Sequence, residues 1–311
     1  MMPEEVAFIS AGVDCAAWLF RAVDDRLAGP DGKPIAVMAH GLGGTKDSGL
    51  APFAEALGGA GVDVFAFDYR GFGASDGRPR QLVSMQAQLA DYRAAMAAAA
   101  ALPGVDGRRL VLWGVSVSGG TVLTAAAGRE DVVAVISLTP LVDGRAAAKH
   151  ALATHSATSL VRAGAIGLRG RLAAITGRET VMMAVVGRPG ELAAMSLPGL
   201  YEDYLSIAGP TWRNEIAATI TLELGNHRPG KQARHLRCPL LVQIADFDRS
   251  APPHAAAKAA FQGRAEVRHY PCDHFDVHVG KRWHGAAVAH QVAFLARVLA
   301  PARNDDRVLD V

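Results

Sequence analysis

Cysteine is scarce in this chain. Its 311 residues hold three, Cys15, Cys238 and Cys272. An odd, unspaced set argues against a disulfide framework and offers no zinc-binding pattern. Charge of one sign is lacking too. Lys+Arg 32 against Asp+Glu 30 leave a net charge of +2, too little to argue for nucleic acid or an anionic membrane as partner. No uncharged apolar run reaches the ~20 residues needed to span a bilayer. The N-terminal Met-Met-Pro-Glu-Glu-Val lacks a basic region followed by an apolar one, so no signal peptide is read. The expected location is therefore cytoplasmic. What is present is an ordinary globular mixture, 50% hydrophobic and 20% charged. A chain of this size buries roughly 75% of its unfolded surface and needs neither disulfide nor metal to fold.

Strand and helix signals alternate from the start. Residues 5–10 and 15–22 read as an entry hairpin. Residues 35–39, Ile-Ala-Val-Met-Ala, form a continuous apolar run typical of a strand buried on both faces. Helices are expected at 51–59, 81–101 and 121–127, and strands at 62–67, 110–113 and 132–139. Such alternation implies a mostly parallel central sheet with helices on both faces.

The rhythm breaks at about residue 142 and resumes at 238. Residues 143–173, 181–186, 190–194, 200–208 and 211–224 all read as helical. A connection this long is far beyond the usual ~2–6 residues. The expectation is an α/β core made of 1–141 and 238–311, with an inserted all-helical cap at 142–237. Beyond it come a strand (239–245), a helix (253–261), a strand (265–270) and a helix (282–299). A loose polar tail is expected at 301–311.

The chemistry-bearing stretch is Leu110 to Gly120, Leu-Val-Leu-Trp-Gly-Val-Ser-Val-Ser-Gly-Gly. A strand, a tight turn with serine at its apex and a helix make the layout of a nucleophile elbow. Two frames compete, because Ser118 stands where Gly-x-Ser-x-Gly has its last glycine. The apolar run ends at Trp113, which places the turn on Ser116. A serine nucleophile needs a base, and the base needs an orienting group. His274, after the strand 265–270, is the candidate base. Asp248, after the strand 239–245, is preferred as the acid over Asp246 and Asp143. His278, four residues beyond His274, raises a metal pair as a weaker reading. His40-Gly41-Leu42-Gly43-Gly44 follows a strand but matches neither a Walker nor a dinucleotide loop. It reads instead as a source of backbone N–H groups for an oxyanion.

With these residues in place the chain resembles an α/β-hydrolase over nearly its whole length. The matching pieces are His40-Gly41, the run from Asp68 to Ser75, the elbow at Ser116, Asp248 ahead of Pro252-Pro253, and His274 before Phe275-Asp276. Ser118 in the glycine position is the departure. The resemblance implies an oxyanion hole from the N–H groups of Leu42 and Val117, and no cofactor. The expected activity is hydrolysis of a carboxylic ester or thioester. Acyl transfer or carbon–carbon cleavage would use the same residues. A non-catalytic binding protein of the same fold is the alternative from another class.

The expected partner is a small-molecule acyl substrate, not nucleic acid, with no membrane span and with a homodimer left open. His40, Met182, Met183, Met195, Tyr201, Tyr204 and Trp212 are candidates to line an acyl pocket, the plain alternative being that the cap residues pack the cap on the core. Arg162, Arg169, Arg171 and Arg178 read as a solvated helix face, or as contacts for an anionic leaving group.

Overall fold

The computed structural model describes residues 2–154 and 156–300. The expected tail at 301–311 lies outside them. The chain enters as a hairpin of β1 (Glu4–Ser10) and β2 (Val13–Phe20). Ala11 and Gly12 turn it with φ of 47° and 78°, the positive values a two-residue I′ turn requires. Next come β3 (Lys33–Ala39), α1 (Ala51–Gly59), β4 (Asp63–Phe67), α2 (Met85–Ala100), β5 (Val105–Val115), α3 (Val117–Ala126) and β6 (Val132–Leu138). The inserted segment holds α4 (Gly144–Thr154), α5 (Ala157–Ile175), β7 (Met182–Val186), β8 (Ala193–Met195), α6 (Leu200–Leu205), β9 (Ile216–Ala217) and α7 (Ile220–Glu223). The chain then returns with β10 (Leu240–Ala245), α8 (Pro253–Gln262), β11 (Glu266–Tyr270) and α9 (His284–Val298).

Eight strands form one sheet in the order β1-β2-β4-β3-β5-β6-β10-β11. The pairs β1–β2 and β2–β4 are antiparallel, and every pair from β4 to β11 is parallel. Every residue of β4 and β10 is buried, as continuous apolar strands covered on both faces should be. Phe53 and Leu57 of α1 and Phe294 and Leu295 of α9 cover one face. Tyr92 and Met96 of α2, Val122 and Leu123 of α3 and Ala256 of α8 cover the other. Because the central strands are parallel, the loops after β3, β5, β6, β10 and β11 leave from one edge, where ligands of open α/β sheets bind.

The insertion is not all-helical. Residues 181–186 and 190–194, expected as helix, supply β7 and β8, and 211–224 divides into β9 and α7. β7 pairs parallel with β8 and antiparallel with β9. The physical reason lies in Val-Met-Met-Ala-Val-Val, a short β-branched run closed by Gly187. It is too brief for a stable helix and finds one strand partner nine residues on and another more than thirty residues on. The helix expected at 143–173 is also two helices, α4 and α5. Ser156 restarts the second by accepting a 3.2 Å hydrogen bond from Ser159 N, an N-cap the composition-based reading passed over.

Candidate active site

β5 ends in the elbow. Ser116 has φ 57° and ψ −119°, a left-handed conformation that costs a residue with a β-carbon about 1–2 kcal/mol. Three backbone bonds hold it there, Ser116 N to Leu138 O and Leu141 N to Ser116 O, both 2.9 Å, and Gly120 N to Ser116 O at 3.2 Å. The neighbours must be small. A β-carbon on Gly114 would lie 2.2 Å from Ser118 O, and one on Gly120 would lie 2.3 Å from Leu141 O. Val117 opens α3, so its N–H has no carbonyl one turn back within the helix.

Ser118 is buried inside the turn and faces away from any cleft. Its hydroxyl donates to His40 O at 2.5 Å and accepts from Tyr69 OH at 2.7 Å. It thus ties the elbow helix to the strand end that begins the His40–Gly44 loop. A small polar side chain fills the place of glycine because this loop offers it a carbonyl.

The loop after β10 and the loop after β11 meet. His274 Nδ1 lies 2.6 Å from Asp248 Oδ2. The other carboxylate oxygen, Oδ1, accepts from Ser250 N at 2.7 Å and Ala251 N at 2.6 Å, so the acid is fixed before it meets the imidazole. Burial opposes charge on His274, but the Asp248 carboxylate outweighs it and its pKa stands above 6.5. Asp246 pairs instead with His269 at 2.6 Å. Asp143 accepts from Arg145 N at the start of α4 and pairs with Arg228 at 3.1 Å. His278 stands between the rings of Phe53 and Phe275, 6.0 and 5.9 Å away. Burial, helped by the neighbouring His274 and His284, pushes its pKa down to about 3, which makes it a neutral core side chain.

The loop after β3 is gripped from several sides. Gly41 approaches the elbow so closely that a β-carbon there would lie 3.0 Å from Ser116 Cβ. Tyr204 of α6 donates to Leu42 O at 2.8 Å. Gly43, at φ +65°, lies against Val185 of β7, whose Cγ2 would be 2.8 Å from an added β-carbon. Lys46 and Asp68 form a buried ion pair at 3.1 Å that joins this loop to the one after β4.

A cavity of about 420 Å³ opens on Ser116, Val117 and Leu42. Its walls come chiefly from α4 and α5, including Ala147, Ala151, Leu152, Leu160, Ala163 and Gly164. Two polar atoms on that wall, His150 Nε2 and Ser250 Oγ, are buried with no hydrogen-bond partner among the described residues.

The expected lining needs correction. His40, Met182, Met183, Tyr201, Tyr204 and Trp212 are not on this wall, whereas Met195 is. Tyr204 stacks on Trp212 at 5.1 Å and meets Phe275 at 5.6 Å, and Met183 is buried in the core. Tyr201 lies under the Arg188 guanidinium. His40 is buried with Nδ1 2.9 Å from Gly41 O. These large side chains seat the insertion on the core, while small residues leave the room. The alanines and glycine among residues 147–164 are the sequence signal for that room.

The sequence matches the family described as serine aminopeptidase, S33, over residues 30–194. It is 35% identical to the quorum-quenching protein AidA of Acinetobacter baumannii over 96% of this chain and 95% of that one. The thiohydrolase aneE of Aspergillus aculeatus is 39% identical over 110 residues, 35% of each chain. The crystal structure of the α/β hydrolase GrgF from Penicillium sp. sh18 superposes with TM-score 0.77 at 23% identity, covering 97% of this chain and 100% of that one; at that identity it shows the fold alone. With the family match spanning the elbow and the relative matching end to end, this chain belongs to the S33 serine-hydrolase family of α/β-hydrolases and is an enzyme of the hydrolase class.

Proposed function

We propose that the protein cleaves carboxylic esters or thioesters carrying an apolar acyl group, through an acyl-enzyme on Ser116. The observation that carries this reading is the apolar cavity opening on Ser116 beside the Leu42 loop. Residues 142–237 act as the cap over a core of 1–141 and 238–311. Ser116 Oγ attacks the acyl carbonyl while His274 takes its proton through Nε2, the nitrogen turned away from Asp248. The N–H groups of Leu42 and Val117 stabilise the oxyanion, each such donor being worth about 3–4 kcal/mol. The tetrahedral species expels the alcohol or thiol, which takes the proton from His274. A water activated by the same imidazole then releases the acid and frees Ser116.

Ser250 Oγ and His150 Nε2 are placed to bind polar atoms of the substrate, since buried polar groups otherwise lack partners. The relative named thiohydrolase keeps thioesters among the candidates, and the relative that matches end to end is named for quorum quenching.

The test is labelling with a fluorophosphonate, followed by turnover of a chain-length series of aryl esters and acyl thioesters. The wild type and Ser118→Ala should label, and Ser116→Ala should not. Labelling and turnover by Ser116→Ala would sink the assignment. A wild type that neither labels nor turns over any member of the series would favour the binding reading.

A further inference from the structure

The outer face of α5 is the least explained surface of the molecule. Val161, Leu168, Leu172 and Ile175 are 71%, 64%, 59% and 74% exposed. With 3.6 residues per turn, these side chains and Ala165 fall within about 40° of a single line along the helix. The opposite face is satisfied: Gly167, Gly170 and Ala173 are buried. A β-carbon on Gly167 would come 2.0 Å from Thr221 Oγ1 of α7. The helix therefore makes its closest inward contacts through small residues, with Leu160 and Ile166 as its inward aliphatics, and turns four large aliphatic side chains to solvent.

Between the acids Asp143 and Glu179, the charges along the stretch have one sign. Residues 144–178 contain Arg145, Lys149, Arg162, Arg169, Arg171 and Arg178 and no Asp or Glu. All six cations are exposed, and none is in an ion pair among the described residues. Arg162 and Arg169 lie on one side of the apolar line and Arg171 on the other, as the 3.6-residue period places them. Leu152 of α4 is 69% exposed and also belongs to the cavity wall, so the patch adjoins the mouth of the site.

We infer that the α4–α5 face docks on an anionic phospholipid surface, with the α5 stripe immersed in the interfacial layer and the arginines on the headgroups. An apolar helix face flanked by cations is the pattern of a helix that lies in the membrane interface. Each such cation contributes about 1 kcal/mol near an anionic surface. A second copy of the chain fits less well, because a two-fold contact through this patch would set like charges against one another. No helix among the described residues is long and apolar enough to cross a membrane, so the contact is peripheral. The inference goes beyond the esterase reading and does not require it.

The experiment is co-sedimentation of the full chain with vesicles of equimolar phosphatidylglycerol and phosphatidylcholine, and with phosphatidylcholine alone. The wild type and Ser116→Ala should both pellet with the anionic vesicles and much less with the neutral ones. The triple variant Leu168→Gln, Leu172→Gln, Ile175→Gln should lose partitioning at least about tenfold. The variant Arg162→Gln, Arg169→Gln, Arg171→Gln should lose it comparably and show a weaker salt dependence. These side chains are exposed, so thermal melting and turnover of a short water-soluble ester should stay as in the wild type. A wild type that stays in the supernatant with anionic vesicles overturns the proposal. So does a glutamine variant that pellets unchanged. A dimer that the aliphatic variant dissolves, without vesicle binding, would assign the face to a second copy. Binding of polyglutamate without vesicle binding would assign it to an acidic polypeptide.

Discussion

Ser118 occupies a position where glycine is usual, and its hydroxyl joins Tyr69 OH to the carbonyl of His40. That bridge explains why two serines share one elbow without competing: only Ser116 is at the turn, and Ser118 faces inward. His274 is set by a similar division of labour. Burial alone would lower its pKa, and Asp248 reverses the sign. In the proposed role of general base His274 must be neutral, so kcat/KM should fall on the acid side with an inflection above pH 6.5. In Asp248→Asn the attraction is gone and burial remains. If Asp248 has the proposed orienting role, the residual activity, lower by about 10⁴-fold as when a triad loses its acid, should then show its inflection below 6.5. Measuring kcat/KM against pH for both proteins checks this, and an unmoved inflection would assign the titration elsewhere.

At the scale of elements, the loop after β3, proposed above to supply an oxyanion donor, is not free-standing. α6 reaches it through Tyr204 OH on Leu42 O, and β7 through Val185 on Gly43. A Tyr204→Phe change keeps the ring between Trp212 and Phe275 and removes only the hydrogen bond. A bond of this kind contributes about 0.5–1.5 kcal/mol. If the loop's alignment matters mainly when charge develops on the substrate oxygen, kcat should drop roughly three- to tenfold with KM little changed. Steady-state kinetics on one aryl ester distinguishes this from a binding defect, in which KM would rise instead. α5 poses the opposite case, a helix whose fully buried residues are glycine and alanine and whose outer face carries most of the bulk.

For the whole molecule, the insertion behaves as two parts. β7 and α6 are packed into the core, Val185 and Val186 being fully buried, whereas α4 buries only Gly144 among its residues. Few buried apolar contacts mean low local stability. Amides of α4 and α5 should therefore exchange with deuterium well before those of β7, and equal protection would contradict this division. What could be read beforehand follows the same line. The parallel core was legible because its strands are continuous apolar runs, and the positions of Ser116, Asp248 and His274 followed from strand ends. β7, β8 and β9 were not legible, because their pairing is long-range and their composition matches the helices around them. The cavity wall was not legible because room is made by what alanine and glycine lack, and large methionine and aromatic side chains, which look like pocket lining in a sequence, mostly pack instead. Arg162, Arg169, Arg171 and Arg178 were legible as a helix face, but not their pairing with an exposed aliphatic stripe, and the whole-chain net charge of +2 averages that one-signed stretch against acids elsewhere.

The Tyr204–Leu42 bond also bears on how such a chain changes over generations. A segment inserted between two strands of a working core can at first be lengthened, shortened or lost freely. Once one of its side chains holds a carbonyl of the core's own loop, deletion removes a support as well as a roof. The half that includes β7 and α6 is then inherited as part of the core, and drift is left to α4 and α5. Divergence among descendants should accordingly concentrate in the length and side chains of those two helices, with the tyrosine and its carbonyl kept together.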